Sequence, residues 1–301
     1  VPRVPEPKPA LGAPGLKVTV SRFKISGNTI YPEEVLLETV KEFLGKEQNI
    51  DGLNDAATKV RAYYRERGYF LSQAYLPQQE VRDGVVEIAV IEARLGKINV
   101  DIKEGARLSE SLMRNIVNYH LREGDLVTET GLETPLLLLN DLPNAVVVSE
   151  IKPSQTIGAA DITVRVTDAP GFASGQIGLD NYGNRYTGAY RATFDLNISN
   201  PLGIGDQLSF SDIRTDDKMV IDRYSYAFPV GPLGTRLNLS WTQFHYQLGK
   251  DFAPFLSHGV GTIASFSVFH PLIRTRGGNL IFQYYYDEKS LSDRSDSVNL
   301  I

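Results

Sequence analysis

Residues 187–200 alternate apolar and polar side chains. Tyr190, Ala192, Phe194, Leu196 and Ile198 share one parity, and Arg191, Thr193, Asp195, Asn197 and Ser199 share the other. Successive side chains of a strand point to opposite faces, so this pattern predicts one greasy face and one polar face. The segment is longer than the usual globular strand of about 5–6 residues. It fits the roughly 9–11 residues that a tilted strand uses to cross a membrane. The pattern predicts strands at 172–180, 186–199, 206–214, 218–229, 235–248, 260–270 and 278–288. Their connections alternate between two kinds. Compact proline turns fall at Asn200–Gly203, Gly231–Gly234 and His270–Leu272, and longer polar loops at Asp180–Thr187, Arg214–Lys218, Leu248–Gly259 and Glu288–Asp296. Short turns at one end and long loops at the other describe an outer-membrane barrel, and Tyr224, Tyr226, Phe228, Trp241, Phe244, Tyr246, Tyr284 and Tyr286 fit its aromatic girdles. A soluble β-sandwich also alternates, but strand length and the sorting of the turns favour the barrel.

Upstream the period changes. Pro2, Pro5, Pro7, Pro9 and Pro14 make residues 1–15 an extended tether, because proline fixes φ and removes donors. Residues 16–95 read β-α-α-β-β. Val18–Ile25 alternates, and Pro32 opens a helix carrying Val35, Leu36, Val40, Phe43 and Leu44. Asp51 or Asn54 is expected to cap a second helix with Leu53, Ala56, Ala57, Val60 and Tyr64 on one stripe, ended by Gly68. Strands are expected at Tyr69–Leu76 and Val85–Leu95, around an Asp83-Gly84 turn. Residues 96–169 repeat the order: Lys97–Ile102, helices Leu108–His120 and Thr130–Asn140, strands Ala145–Ile151 and Asp161–Thr167. The expected fold is thus two α+β domains followed by an antiparallel transmembrane β-barrel over 170–301. Because the small domains precede the first barrel strand, residues 1–169 belong at the short-turn, periplasmic end.

Composition narrows the chemistry. With 301 residues, a net charge of −5 and no cysteine, the chain gives no reason to expect nucleic acid and has neither disulfides nor Cys-ligated metal sites. The longest apolar runs, such as Leu136–Leu139, fall far short of a membrane helix. The opening Val1-Pro2-Arg3 is not a signal peptide, so the sequence reads as mature or trimmed. The stretch Ser297–Ile301 still alternates, so further strands are expected. His120, His245, His258 and His270 lack metal-ligand spacing, and no hydrolase, zincin or P-loop motif occurs. Asp287, Glu288, Asp293 and Asp296 form an acidic stretch read as a solvated loop, with Ca²⁺ binding as the less favoured alternative. No catalytic residue, cofactor or metal is expected.

Three stretches resemble the Omp85 superfamily, whose periplasmic modules are POTRA domains, and within it the two-partner secretion transporters of the TpsB, haemolysin-activator type. They are Tyr63–Tyr69 with Tyr75–Gln79, Asp83-Gly84 and Val90–Glu92; Leu136–Asn140 with Asp141-Leu142-Pro143; and Asp180-Asn181-Tyr182-Gly183 with Tyr186-Thr187-Gly188. Ala93 and Asn144 depart from the family's glycines, which leaves local turn geometry open. The resemblance implies a sixteen-stranded barrel, within the known even-numbered range, of which about seven strands fall in this chain. It implies a bacterial outer-membrane location, a lipid environment, a monomer, and a secreted TpsA-type partner recognised through its N-terminal secretion domain. The family's pore-loop motif is expected beyond residue 301, and the plug helix expected before the tether was either removed from this sequence or is lacking in this member.

The resemblance also makes the second strand of each module an open edge able to accept an extended peptide. The candidates there are Tyr69, Phe70, Ala74 and Tyr75, and Ala145, Val147 and Ser149. Asp180, Asn181, Gly183, Thr187 and Gly188 carry the family's opening barrel hairpin, and Arg191, Thr193, Asp195 and Asn197 are lumen candidates. The rival readings are a factor that assembles outer-membrane barrels, a passive porin, and a barrel enzyme with accessory domains.

Overall fold

The computed structural model describes residues 17–103 and 106–296, so the expected tether and the last alternating residues lie outside the described part. Two compact units emerge. One takes the described residues up to Asp101 with His120–Pro135 and Val148–Val164; the other takes Ile102–Tyr119, Leu136–Val147 and Arg165 onward.

The first unit contains β1 (Val18–Thr19), β2 (Arg22–Ser26), α1 (Glu33–Glu38), β3 (Glu47–Gln48), α2 (Ile50–Arg65), β4 (Gln73–Tyr75) and β5 (Val85–Ile91). Three of these form a sheet ordered β2-β5-β4, with β2 parallel and β4 antiparallel to β5. Alternation on β2 and β5 points Phe23, Ile25, Val86, Ile88 and Val90 inward against the α2 stripe of Leu53, Ala56, Ala57, Val60 and Tyr64. Burying each large side chain contributes roughly 1.5–3 kcal/mol. The stripe is as expected, but the cap is Asn49, whose side chain accepts from Gly52 N–H at 2.9 Å.

Other expectations change at their ends. The first helix stops at Glu38, where the Thr39 hydroxyl donates to Leu36 O at 2.7 Å, and the chain tightens into a 3₁₀ turn at Lys41–Phe43. Leu44, past the helix end, is exposed, as is Val35 within the helix, while Leu36 and Val40 are buried. The strand expected at Val18–Ile25 breaks at Val20-Ser21, and Tyr69–Leu76 contracts to Gln73–Tyr75.

The repeat continues with β6 (Arg94–Ile102), α3 (Glu110–His120), α4 (Glu129–Asn140), β7 (Ala145–Pro153) and β8 (Ala159–Asp168). Their sheet is ordered β6-β8-β7, the first-third-second order of the first module, with β7 at the edge.

The second unit carries a seven-stranded antiparallel meander of β9 (Ala173–Asp180), β10 (Arg191–Ser199), β11 (Gln207–Thr215), β12 (Val220–Val230), β13 (Thr235–Gln247), β14 (His258–Arg274) and β15 (Asn279–Arg294). Two expectations are overturned. His270-Pro271-Leu272 is not a turn: β14 runs through it with a bulge between Pro271 and Ile273, and the chain turns at 275–278. The acidic stretch is not a loop either, since β15 extends to Arg294 and takes Asp287, Glu288 and Asp293 onto alternating faces. Among the described residues no group of His, Cys, Asp and Glu is arranged to hold a metal ion.

Candidate functional site

Register shows what each face of the meander is made of. One row across all the strands reads Ser174, Asn197, Ser209, Ser225, Ser240, Ser265 and Asp287. The neighbouring row on the opposite face, from β10 to β15, reads Ile198, Leu208, Tyr226, Leu239, Phe266 and Tyr286. Small hydroxyls and amides thus line one side and large apolar groups the other. The polar side is concave: a hollow of about 460 Å³ is lined by Ser174, Gln176, Asp195, Asn197, Ser209, Ser211, Arg223 and Ser225, with Gly175 and Phe210.

The apolar band does not follow the hydrogen-bonded rows. On β9 and β10 it includes Ile177, Leu179 and Phe194, yet the row through Phe194 continues as Asp212, Asp222, Gln243, Thr262 and Ser290. A membrane slab cuts such rows obliquely when strands tilt, as barrel strands do. So much exposed apolar surface needs a cover, and lipid supplies it.

The lumen candidates divide. Asp195 and Asn197 line the hollow, and the Ser209 hydroxyl donates to Asn197 Oδ1 at 2.7 Å. Thr193 lies opposite Gly178, and Arg191 is engaged in a two-pronged ion pair with Asp180 at 2.8 and 3.1 Å. Arg223, Ser209, Ser211 and Ser225 complete the polar wall; extending the parity rule to β11 and β12 finds them.

The opening-hairpin residues serve as a brace. Asp180 also accepts from Tyr182 N–H at 2.9 Å, and the Thr187 carbonyl accepts from the Thr215 hydroxyl. Gly183 is required by close approach, since a Cβ there would stand 2.0 Å from Gly188 O. Gly188 has φ +113° and lies against Thr215. Asn181 sits in the same loop, outside the strand.

In the first module Glu92 follows β5 and accepts from Thr29 N–H at 2.7 Å, Ile30 N–H at 2.8 Å, Tyr64 O–H at 2.8 Å and the Thr29 hydroxyl. Burial works to raise its pKa, but these hydrogen bonds outweigh burial and hold it below the usual carboxylate value. Burial, with the bond to Glu92, pushes the Tyr64 phenol well up. Glu92 thereby pins the turn after β2 to α2, a role that its place in Val90–Glu92 did not reveal.

Of the edge candidates, Tyr69 and Phe70 precede β4 rather than lie on it, and the Tyr69 ring packs on Tyr31 and Tyr64 at 6.1 and 6.2 Å. Ala74 faces the core. Tyr75 and Gln73 point the other way, into an apolar groove of about 410 Å³ that is also lined by Leu71, Ile91, Ala93 and the segment 151–160. Ile157 on that segment is 89% exposed. On β7, Ala145 and Val147 are half-buried and Ser149 is exposed.

Comparisons with known proteins match this architecture. Residues 18–93 match the POTRA domain of ShlB type, and residues 158–300 match the haemolysin secretion/activation protein family ShlB/FhaC/HecB. The outer membrane transporter CdiB of Escherichia coli O6:K15:H31 is 30% identical over 80% of this chain and 41% of its own length. The heme/hemopexin transporter protein HuxB of Haemophilus influenzae (strain 86-028NP) is 26% identical over 88% of this chain and 46% of its own. The solved structure of CdiB from Escherichia coli superposes with a TM-score of 0.72 at 24% identity, covering 97% of this chain and 55% of that one. The chain spans about half the length of the curated relatives it matches. With a POTRA module preceding an outer-membrane strand meander, the chain belongs to the TpsB-type haemolysin secretion/activation family of the Omp85 superfamily.

Proposed function

We propose that this chain is the periplasmic and first membrane-spanning part of an outer-membrane transporter that captures an unfolded partner exoprotein and passes it through its barrel to the cell surface. One observation carries the reading: an open strand edge beside an apolar groove, β4 with Gln73 and Tyr75, occurs in the same chain as a sheet whose concave face is polar. An extended chain gains main-chain hydrogen bonds from such an edge, and its alternate side chains find an apolar seat. A wall of serines with Gln176, Asp195, Asn197 and Arg223 offers a passing segment water-like contacts and few apolar places to stick.

In this reading residues 16–95 and 96–169 are two periplasmic modules and 170–301 begin a sixteen-stranded barrel. The protein is a monomer in lipid, its partner is a secreted exoprotein bound through its N-terminal secretion domain, and the cycle contains no catalytic step. Folding of the partner outside biases the movement.

The test compares the purified transporter with its Ile157→Asp variant, whose exposed side chain tolerates change without loss of fold. Binding of an unfolded exoprotein secretion domain is measured beside an unfolded porin strand. Selective capture of the exoprotein, weakened at least about tenfold by the aspartate, about 1.4 kcal/mol, supports the reading. Preference for the porin strand moves the assignment to barrel assembly.

A further inference from the structure

Strand β7 is an edge, and an edge strand offers alternate N–H groups to any extended chain. On its first half two of these groups are taken from within the protein. Ala145 N–H donates to Leu142 O at 3.2 Å, and Val147 N–H donates to Asn140 Oδ1 at 3.1 Å. Asn140 is itself held in place, because its Nδ2 donates to Leu136 O at 2.9 Å.

The next residue is clamped to the barrel. Asp141 accepts from Arg274 Nε and Nη2, each at 2.7 Å, and its carbonyl accepts from Arg236 Nη1 at 3.1 Å. Arg236 stands near the start of β13 and Arg274 ends β14. Leu142 is buried, and a Cβ added to Gly205 in the β10–β11 turn would stand 3.0 Å from it. A two-pronged arginine–carboxylate contact fixes orientation as well as distance. Asn140 and Asp141 share one peptide at the helix end, so a shift of the backbone at one of them is passed to the other.

We propose that Asn140 and Asp141 form a single switch: the Asp141–Arg274 clamp holds Asn140 over the β7 edge, and a chain that adds to this half of β7 must displace Asn140 and loosen the clamp. Occupancy of the second module thereby reaches the ends of β13 and β14 as a mechanical signal. The use of the switch rests on the strand-capture reading, but its existence is testable with no partner present, so the two fail separately.

The experiment is hydrogen exchange on the transporter in detergent, reading the Val147 amide, with Val60 in α2 as the internal standard. Asn140→Ala should speed Val147 exchange at least about tenfold by removing its acceptor. Asp141→Asn and Arg274→Gln, with Asn140 intact, should speed it several-fold while Val60 stays protected. Arg274→Lys, which keeps the charge but not the two-pronged contact, serves if the glutamine variant does not assemble. Val147 protection unchanged in the Asp141 and Arg274 variants overturns the coupling. Protection unchanged in Asn140→Ala overturns the closure of the edge.

Discussion

The first module and the meander use the same two-residue period and turn it in opposite directions. In the module, Phe23, Ile25, Val86, Ile88 and Val90 are at most 5% exposed, because α2 covers that face of the sheet. In the meander, Ile177, Leu179 and Leu239 are 78%, 83% and 49% exposed, while Gln176, Asp195, Asn197 and Ser209, of the opposite parity on their strands, line a polar hollow. Alternation alone therefore says that one face is apolar. What covers that face, a helix or lipid, is decided by strand length and by whether helical segments accompany the strands.

The contrast breaks most sharply in the module core. Phe23→Ala removes a ring that is 1% exposed and is expected to cost about 3–5 kcal/mol, read by denaturant unfolding of the periplasmic region. A loss near zero would mean that this face is not a dry core.

On the meander the sign of the effect depends on parity. Leu239→Arg puts a charge on the band and should cost about 2–4 kcal/mol of barrel stability if that position is near the bilayer midplane. The same change at Thr242, which is half-buried on the opposite parity and lies across from Arg223 of the polar wall, should cost much less. Equal losses at the two positions would erase the distinction between faces.

A smaller effect separates polar burial in the module from polar exposure in the meander. Glu92→Gln weakens charge-assisted bonds to Thr29, Ile30 and Tyr64 and should cost about 1–3 kcal/mol at neutral pH. The pH dependence follows from the lowered pKa. A carboxylate held below its unfolded value contributes stability above that value, about 4.3, and loses it as pH falls through the folded one. Wild-type stability should therefore fall on acidification below about pH 4 more steeply than that of Glu92→Gln. Parallel curves would show that Glu92 is not the group responsible.

Much of this was legible in the residues. The α2 stripe and the alternation along 187–200 follow from spacing, whereas the edge place of the second strand in each module is implied by the family resemblance and not by spacing. The misreadings have local causes. Leu44 keeps helical spacing, but the Thr39 hydroxyl bonds Leu36 O and the helix has ended before Leu44, whereas Val35 lies inside the helix and is exposed. Pro271 looked like a turn because proline lacks a ladder donor, yet a bulge accommodates it inside β14. The acidic residues looked like a loop because charge is expelled from apolar strands, but β15 continues past the apolar band, where Glu288 and Ser290 need no lipid-compatible face. Asn140 and Asp141 stand in the second family-like stretch, but their contacts with Val147 and Arg274 could not be read there, since only the fold brings those residues together.

The most direct test is a spin-label scan along β13, one cysteine at a time from Leu237 to Thr242 in this cysteine-free sequence, reading accessibility to oxygen and to a water-soluble nickel chelate. Positions 237, 239 and 241 should favour oxygen, which concentrates in lipid, and 238, 240 and 242 should favour the chelate. Uniform accessibility along the six positions, or the reverse parity, would contradict a meander that shows its apolar face to the membrane and its polar face to water.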